Sequence, residues 1–94
     1  MHVTPSVLKK WSFKEMRKFL EDYGFMLKKW DGSHCVMTGT IKGQVRQLDI
    51  VHNHCEKNFQ SGRTMKIIAK YSGIPLEFFE EWRGSRIVHQ EIIG

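Results

Sequence analysis

The sequence predicts an α+β fold in which a three-stranded antiparallel sheet packs on two helices and a short extra helix follows near the C-terminus. An apolar stripe at helical spacing comes first, and alternating segments divided by tight-turn signals come next. A second helical pattern follows them. This order covers one sheet face with the helices and leaves the other face free.

The first helix is predicted to begin after Ser12. Ser12 and Glu15 have the S-x-x-E spacing of a capping box, in which each side chain binds the other residue's backbone N–H. Gly24 ends the helix as a left-handed cap. The residues that recur on one helical face are Phe13, Met16, Leu20 and Tyr23. Residues 1–10 show no such period and form a lead-in.

Three strands are predicted, over residues 25–30, 33–38 and 44–51. The dipeptide Asp31-Gly32 favours a two-residue hairpin turn, and residues 39–43 supply the next turn. The third strand alternates apolar and polar side chains, namely Leu48 and Ile50 with Gln47 and Asp49. The three segments therefore form an antiparallel meander.

Two helices and an apolar tail complete the chain. Thr64 is predicted to cap the second helix and Gly73 to end it. The third helix starts at Ile74-Pro75 and closes at Gly84. The expected buried residues are Ile67, Ile68 and Tyr71 in the second helix and Leu76, Phe79 and Trp82 in the third. The tail over residues 86–93 is apolar enough to add a strand or to meet a partner.

Composition indicates one soluble globular domain over residues 1–94. Of the 94 residues, 40% are apolar, which argues against disorder, and the length leaves no room for a second domain. No apolar run reaches the roughly 20 residues of a membrane span, and the first ten residues lack a signal-peptide core. Cys35 and Cys55 are expected to be free thiols in a reducing, cytoplasmic setting.

Positive charge is concentrated in the first three quarters of the chain. Residues 1–76 hold 13 basic and 6 acidic side chains, whereas residues 77–94 hold 2 and 4. Such an excess favours a polyanionic partner such as nucleic acid, although charge alone does not specify one.

His34 is the leading candidate for chemistry. It follows the Asp31-Gly32 turn and begins a strand, so a rigid scaffold holds an imidazole that can accept or donate a proton near neutral pH. Ser33 and the N–H groups of the turn could bind a phosphate oxygen. Lys28, Lys29 and Arg46 are expected beside it. A single surface histidine is nevertheless more often structurally idle than catalytic.

Two other sets of residues could have a function, one in metal binding and one in base stacking. His52, His54 and Cys55 are residue types that zinc accepts, but neighbouring strand residues point to opposite faces and the spacing does not match common zinc sites. No metal site is predicted. Most aromatic residues fall on helical faces and are expected in the core, with Trp30 as the exception that could stack on a base.

Several short motifs, taken in order, resemble the HicA-type toxins of toxin-antitoxin modules. These are Tyr23-Gly24-Phe25, Asp31-Gly32-Ser33-His34, the strand leading to His54, Ser61-Gly62-Arg63-Thr64 and Tyr71-Ser72-Gly73-Ile74-Pro75. The resemblance covers about residues 12–80. The family often has a proline two residues before its second histidine, where this chain has His52.

The resemblance implies a double-stranded-RNA-binding-like α-β-β-β-α fold and an mRNA interferase activity. It implies that Gly32-Ser33-His34 carries the catalytic histidine and that a HicB-type antitoxin is the protein partner. The resulting hypothesis is a metal-independent endoribonuclease toxin without a cofactor, active on mRNA. RNA is bound by Ser33, Lys28, Lys29, Arg46 and Arg63.

Two alternatives remain open. One is an RNA-binding module of the same fold without catalysis. The other is a metal-dependent nuclease that uses His52, His54 and Cys55, which a chelator would silence.

Overall fold

The elements follow one another in the order α-β-β-β-α-α. A computed structural model describes residues 10–52 and 62–94. The elements are α1 (Phe13–Asp22), β1 (Met26–Asp31), β2 (His34–Ile41), β3 (Gln44–Val51), α2 (Gly62–Ser72), α3 (Leu76–Ser85) and a short 3-10 turn (Gln90–Ile92). The predicted α+β class and three-stranded antiparallel sheet are confirmed. The lead-in over residues 1–9 and the segment 53–61, with His54 and Cys55, lie outside the described residues.

α1 begins after Ser12 and ends before Gly24 as the sequence predicts. Only the Ser12 half of the predicted capping box is formed, because the Glu15 carboxylate binds Arg83. Ser12 Oγ accepts a hydrogen bond of 3.0 Å from the backbone N–H of Glu15, which satisfies a donor that the first helical turn leaves unpaired. Gly24 has a positive φ of 85°, which terminates the helix. The buried residues of this segment, which form the centre of the core, are Trp11, Phe13, Met16, Phe19, Leu20 and Tyr23.

The second strand is longer than predicted. It continues to Ile41, because Lys42 and Gly43 alone make the turn, with φ values of 53° and 75°. Gly39 therefore lies inside β2 rather than in a turn. A Cβ at Gly39 would come within 2.9 Å of the Phe25 ring, so this glycine allows close packing of Phe25 on the strand.

Register separates the sheet into two faces. Cys35 pairs with Ile50 and Met37 with Leu48, and these buried side chains join the core on the helix side. The intervening positions, among them His34 and Asp49, belong to the opposite face. Cys35 is a free, buried thiol, and burial raises its pKa, with the positive charge of Arg17 acting in the other direction.

α2 differs from the prediction in where it begins and in which face it buries. It begins at Gly62, two residues before the predicted cap Thr64. The core-facing side is formed by Met65, Ile68 and Ser72 at spacings of three and four. Of the predicted buried set only Ile68 is buried, whereas Ile67 and Tyr71 are exposed.

α3 buries Phe79 and Trp82 as predicted, but it continues past Gly84 to Ser85. Arg86, which follows the last helical residue, adopts the left-handed conformation with a φ of 57°. The Arg86 guanidinium lies 4.1 Å from the Trp82 ring centroid. This cation–π contact compensates for the strained backbone of a non-glycine residue.

The tail packs on its own domain. Ile92 is buried, and Ile93 forms an isolated antiparallel bridge with Ile41. Gly94 donates a backbone hydrogen bond of 2.8 Å to the carbonyl of Thr40, and Lys42 donates one of 2.8 Å to Ile92. The apolar tail predicted to add a strand or meet a partner thus closes over the β2–β3 turn. Among the described helices, none has the length and apolar character that crossing a membrane requires.

The tail is held by an ionic cluster that should make stability depend on pH. The imidazole of His89 binds Glu81 through Nε2 and Glu91 through Nδ1, and it stacks on Phe78 at 3.7 Å. The hydrogen bond with Glu81, and then that with Glu91, raise the pKa of His89 above its ordinary value of 6.5. Because the folded-state pKa is the higher one, the stabilisation is complete below pH 6.5 and is lost as pH rises through the raised value.

We therefore expect the melting temperature of the wild type, relative to that of His89→Gln, to be highest below pH 6.5 and to fall as the pH rises above that value. Thermal melts of both proteins below and above pH 6.5 measure the difference. A wild-type advantage that is constant with pH, or that grows above pH 6.5, would contradict the assignment.

Candidate functional site

His34 lies at the first position of β2, on the sheet face that the helices leave free. Its Nδ1–H donates a hydrogen bond to Asp49 Oδ2 on β3. Both side chains remain about half exposed, at 47% and 50%. A carboxylate on one imidazole nitrogen fixes the tautomer and the orientation of the ring, which makes Nε2 the nitrogen that can accept a proton from a ligand.

The His34–Asp49 pair lines an open groove of about 400 Å³. Val36 is part of its lining, and Lys29 brings a cation to the same groove. The groove crosses the β3 edge, because its remaining lining includes Ile67 and Tyr71 of α2. The lining combines His34, the cation of Lys29, the carboxylates of Asp31 and Asp49, and apolar side chains. Its open shape suits an extended ligand better than a small enclosed one.

The structure brings three of the predicted binding residues to the neighbourhood of His34. Lys29 pairs with Val36 and shares the face of His34. Lys28 lies at the bulge in β1 and donates a hydrogen bond of 2.9 Å to Gln47, another groove residue. Ser33 precedes His34 in the turn, and its carbonyl accepts the N–H of His52 at 2.7 Å. Binding of a phosphate oxygen by the Ser33 hydroxyl stays a prediction.

Arg46 lies elsewhere. It pairs with Gly39 on the helix side of the sheet, and its guanidinium packs against Gly73 at the end of α2. A Cβ at Gly73 would come within 2.7 Å of the Arg46 guanidinium carbon. Within the described residues, the buried Arg46 Nε has no hydrogen-bond partner. The structure thus separates Arg46 from the groove of His34. Arg63 lies in the first turn of α2, and its side chain is outside the described part.

Trp30 and His52 form a separate aromatic cluster with Phe13. Trp30 is 45% exposed, and its ring centroid lies 5.8 Å from that of Phe13 and 6.0 Å from that of His52. Trp30 pairs with Cys35, so its position belongs to the helix side rather than to the face of His34. If Trp30 stacks on a base as predicted, it does so on a different surface from the groove of His34.

Asp49 belongs to the candidate site, although the sequence marks it only as a polar position in an alternating strand. The turn at Lys42 and Gly43 fixes a register in which His34 opposes Val51, which makes Asp49 its diagonal neighbour on one face. The predicted turn at residues 39–43 was too wide to establish that register.

Residues 10–52 and 62–94 contain no group of three or more histidine, cysteine or acidic side chains arranged to hold a metal ion. His54 and Cys55, which belong to the sequence cluster with zinc-binding residue types, lie outside these described ranges.

No protein-family model, curated protein or solved structure matches the chain.

Proposed function

We propose that this protein is a metal-independent endoribonuclease, and that it acts as the toxin of a HicA-type toxin-antitoxin module. The observation that carries the enzymatic part is the His34–Asp49 pair on a free sheet face in an open groove. A solvent-accessible imidazole whose second nitrogen is held by a carboxylate is the arrangement expected of a general base or acid.

RNA is the favoured substrate because its ribose supplies the nucleophile. His34 Nε2 accepts the proton of the 2′-hydroxyl as the 2′-oxygen forms a bond to the adjacent phosphorus. The bond from phosphorus to the 5′-oxygen breaks, and that oxygen takes up a proton from water. The products are a 2′,3′-cyclic phosphate and a 5′-hydroxyl. Asp49 positions the ring and stabilises the imidazolium that forms.

Cations near the groove support binding of the phosphate backbone. Lys29 lines the groove, and Lys28 contacts it through Gln47. Neutralising phosphates releases counterions, so affinity for RNA should fall as salt rises. Arg46 contributes to the packing of α2 on the sheet instead.

The toxin assignment is supported by the resemblance of the residue motifs around Gly32-Ser33-His34 and Tyr71-Ser72-Gly73 to the HicA-type toxins. The α-β-β-β-α order of the first five elements agrees with the fold that the resemblance implies. A HicB-type antitoxin that covers the groove of His34 is part of this proposal.

Incubation of the purified protein with a long single-stranded RNA tests the activity. We expect cleavage that continues at the same rate in EDTA, with 2′,3′-cyclic phosphate ends, and no cleavage of an RNA whose 2′-hydroxyls are replaced by hydrogen. Loss of activity in EDTA would indicate a metal-dependent nuclease. RNA binding without any cleavage would indicate the non-catalytic binding module.

A further inference from the structure

Two apolar side chains of α2 are exposed in the groove that holds His34. Ile67 is 45% exposed and Tyr71 is 53% exposed, although their spacing with Ile68 predicts burial. Both line the same groove as His34 and Asp49. Apolar side chains exposed beside a reactive group mark a surface that a ligand covers.

The groups around Tyr71 indicate the chemistry of that ligand. Lys70 Nζ lies 6.0 Å from the centroid of the Tyr71 ring, and Lys29 is the lysine that lines the groove. Gln47 lines the groove too, and its Oε1 already accepts from Lys28, which leaves its amide nitrogen as a donor. An aromatic ring, flanking cations and an amide donor match the flat face, phosphates and polar edge of a nucleotide.

We propose that Tyr71 is a stacking platform for an unpaired RNA base next to the phosphate at which the RNA is cleaved. This inference rests on the proposed ribonuclease function and adds a substrate subsite to it. The base must be unpaired, because bases in a duplex stack on their own neighbours and hide their faces from side chains. The enzyme therefore prefers single-stranded RNA, and Ile67 forms the aliphatic wall beside the base.

Binding of an uncleavable RNA tests the subsite. The ligands are a 2′-O-methyl oligouridine, which lacks the attacking hydroxyl, and an abasic oligomer of the same length. Tyr71→Ala should weaken binding of the oligouridine about tenfold and leave binding of the abasic oligomer unchanged. Tyr71→Phe keeps the ring and should bind like the wild type. Val45→Ala is the matched control, because Val45 is 78% exposed on β3 and does not line the groove.

Equal affinity of wild type and Tyr71→Ala for the oligouridine would overturn the inference, and so would an equal loss for both ligands. A loss in Tyr71→Phe as large as in Tyr71→Ala would also overturn it, because the hydroxyl and not the ring would then bind. RNA cleavage by the wild type, measured in parallel, separates the two proposals. If the wild type cleaves RNA and Tyr71→Ala does not change the affinity for the oligouridine, the ribonuclease proposal is supported and the base subsite is wrong. If binding depends on the base and on Tyr71 but no RNA is cleaved, the subsite is supported and the ribonuclease proposal is wrong.

Discussion

His34→Ala is expected to lower kcat/KM for RNA cleavage by about 10²- to 10⁴-fold, which is the usual contribution of a general acid or base. The variant removes the only described imidazole in the groove, and with it the group proposed to accept the 2′-hydroxyl proton. RNA affinity should change little, because the cations of the groove remain. Cleavage of a labelled RNA under single-turnover conditions, together with a binding titration, measures both quantities.

Two comparisons make this result specific. Asp49→Asn should lower kcat by a smaller factor and leave KM unchanged, because the amide holds the ring less firmly and does not stabilise the imidazolium. Both side chains are about half exposed, so each variant should melt close to the wild type. Full activity in a folded His34→Ala protein would move the chemistry to another residue, and an unchanged kcat in Asp49→Asn would remove Asp49 from the site.

Trp82→Ala is expected to destabilise the protein by about 3–5 kcal/mol, the usual cost of removing a buried aromatic side chain. Trp82 is 1% exposed and stacks on Trp11 with ring centroids 5.8 Å apart. Its Nε1–H donates a hydrogen bond of 2.8 Å to Asp22, which ties α3 to the end of α1. Since small domains have a total stability of about 5–15 kcal/mol, much of it would be lost. Urea unfolding followed by circular dichroism measures this change.

Trp30→Ala is the matched control for that experiment. It removes the same side chain, but Trp30 is 45% exposed and leaves a smaller cavity. Its effect on the free energy of unfolding should be clearly smaller. A negligible cost for Trp82→Ala would show that α3 is not part of the cooperative core. A cost for Trp30→Ala as large as that for Trp82→Ala would show that burial does not set the difference.

Local chemistry determined most elements of the fold. Ser12 and Glu15 specify where α1 begins, because the side-chain acceptor and the backbone donor lie three residues apart in the chain. The alternation in β3 gave its bounds exactly as the structure has them. The predicted end of β2 was wrong, because a glycine at position 39 favours a turn when only its neighbours in sequence are considered, whereas in the structure Phe25 packs against it. That contact joins residues distant in sequence, which local patterns do not report.

The prediction of which face of α2 is buried was also wrong, for a related reason. Ile67, Ile68 and Tyr71 have apolar helical spacing, but so do Met65, Ile68 and Ser72. Which set faces inward depends on how the helix is rotated against the sheet, and that rotation follows from the shape of the neighbouring core. The exposure of Tyr71 in the groove of His34 is a consequence of this rotation.

The sequence by itself determined the α+β class, the sheet meander and the choice of His34 as the leading reactive residue, because capping, turn and periodicity signals act over a few neighbouring residues. Tertiary structure decided which groups join His34. Strand register brings Asp49 to its imidazole and places Arg46 on the helix side of the sheet. The packing of α2 adds Tyr71 to the groove. These outcomes depend on the pairing and packing of segments far apart in the chain, where a shift of one residue would exchange the faces of a strand.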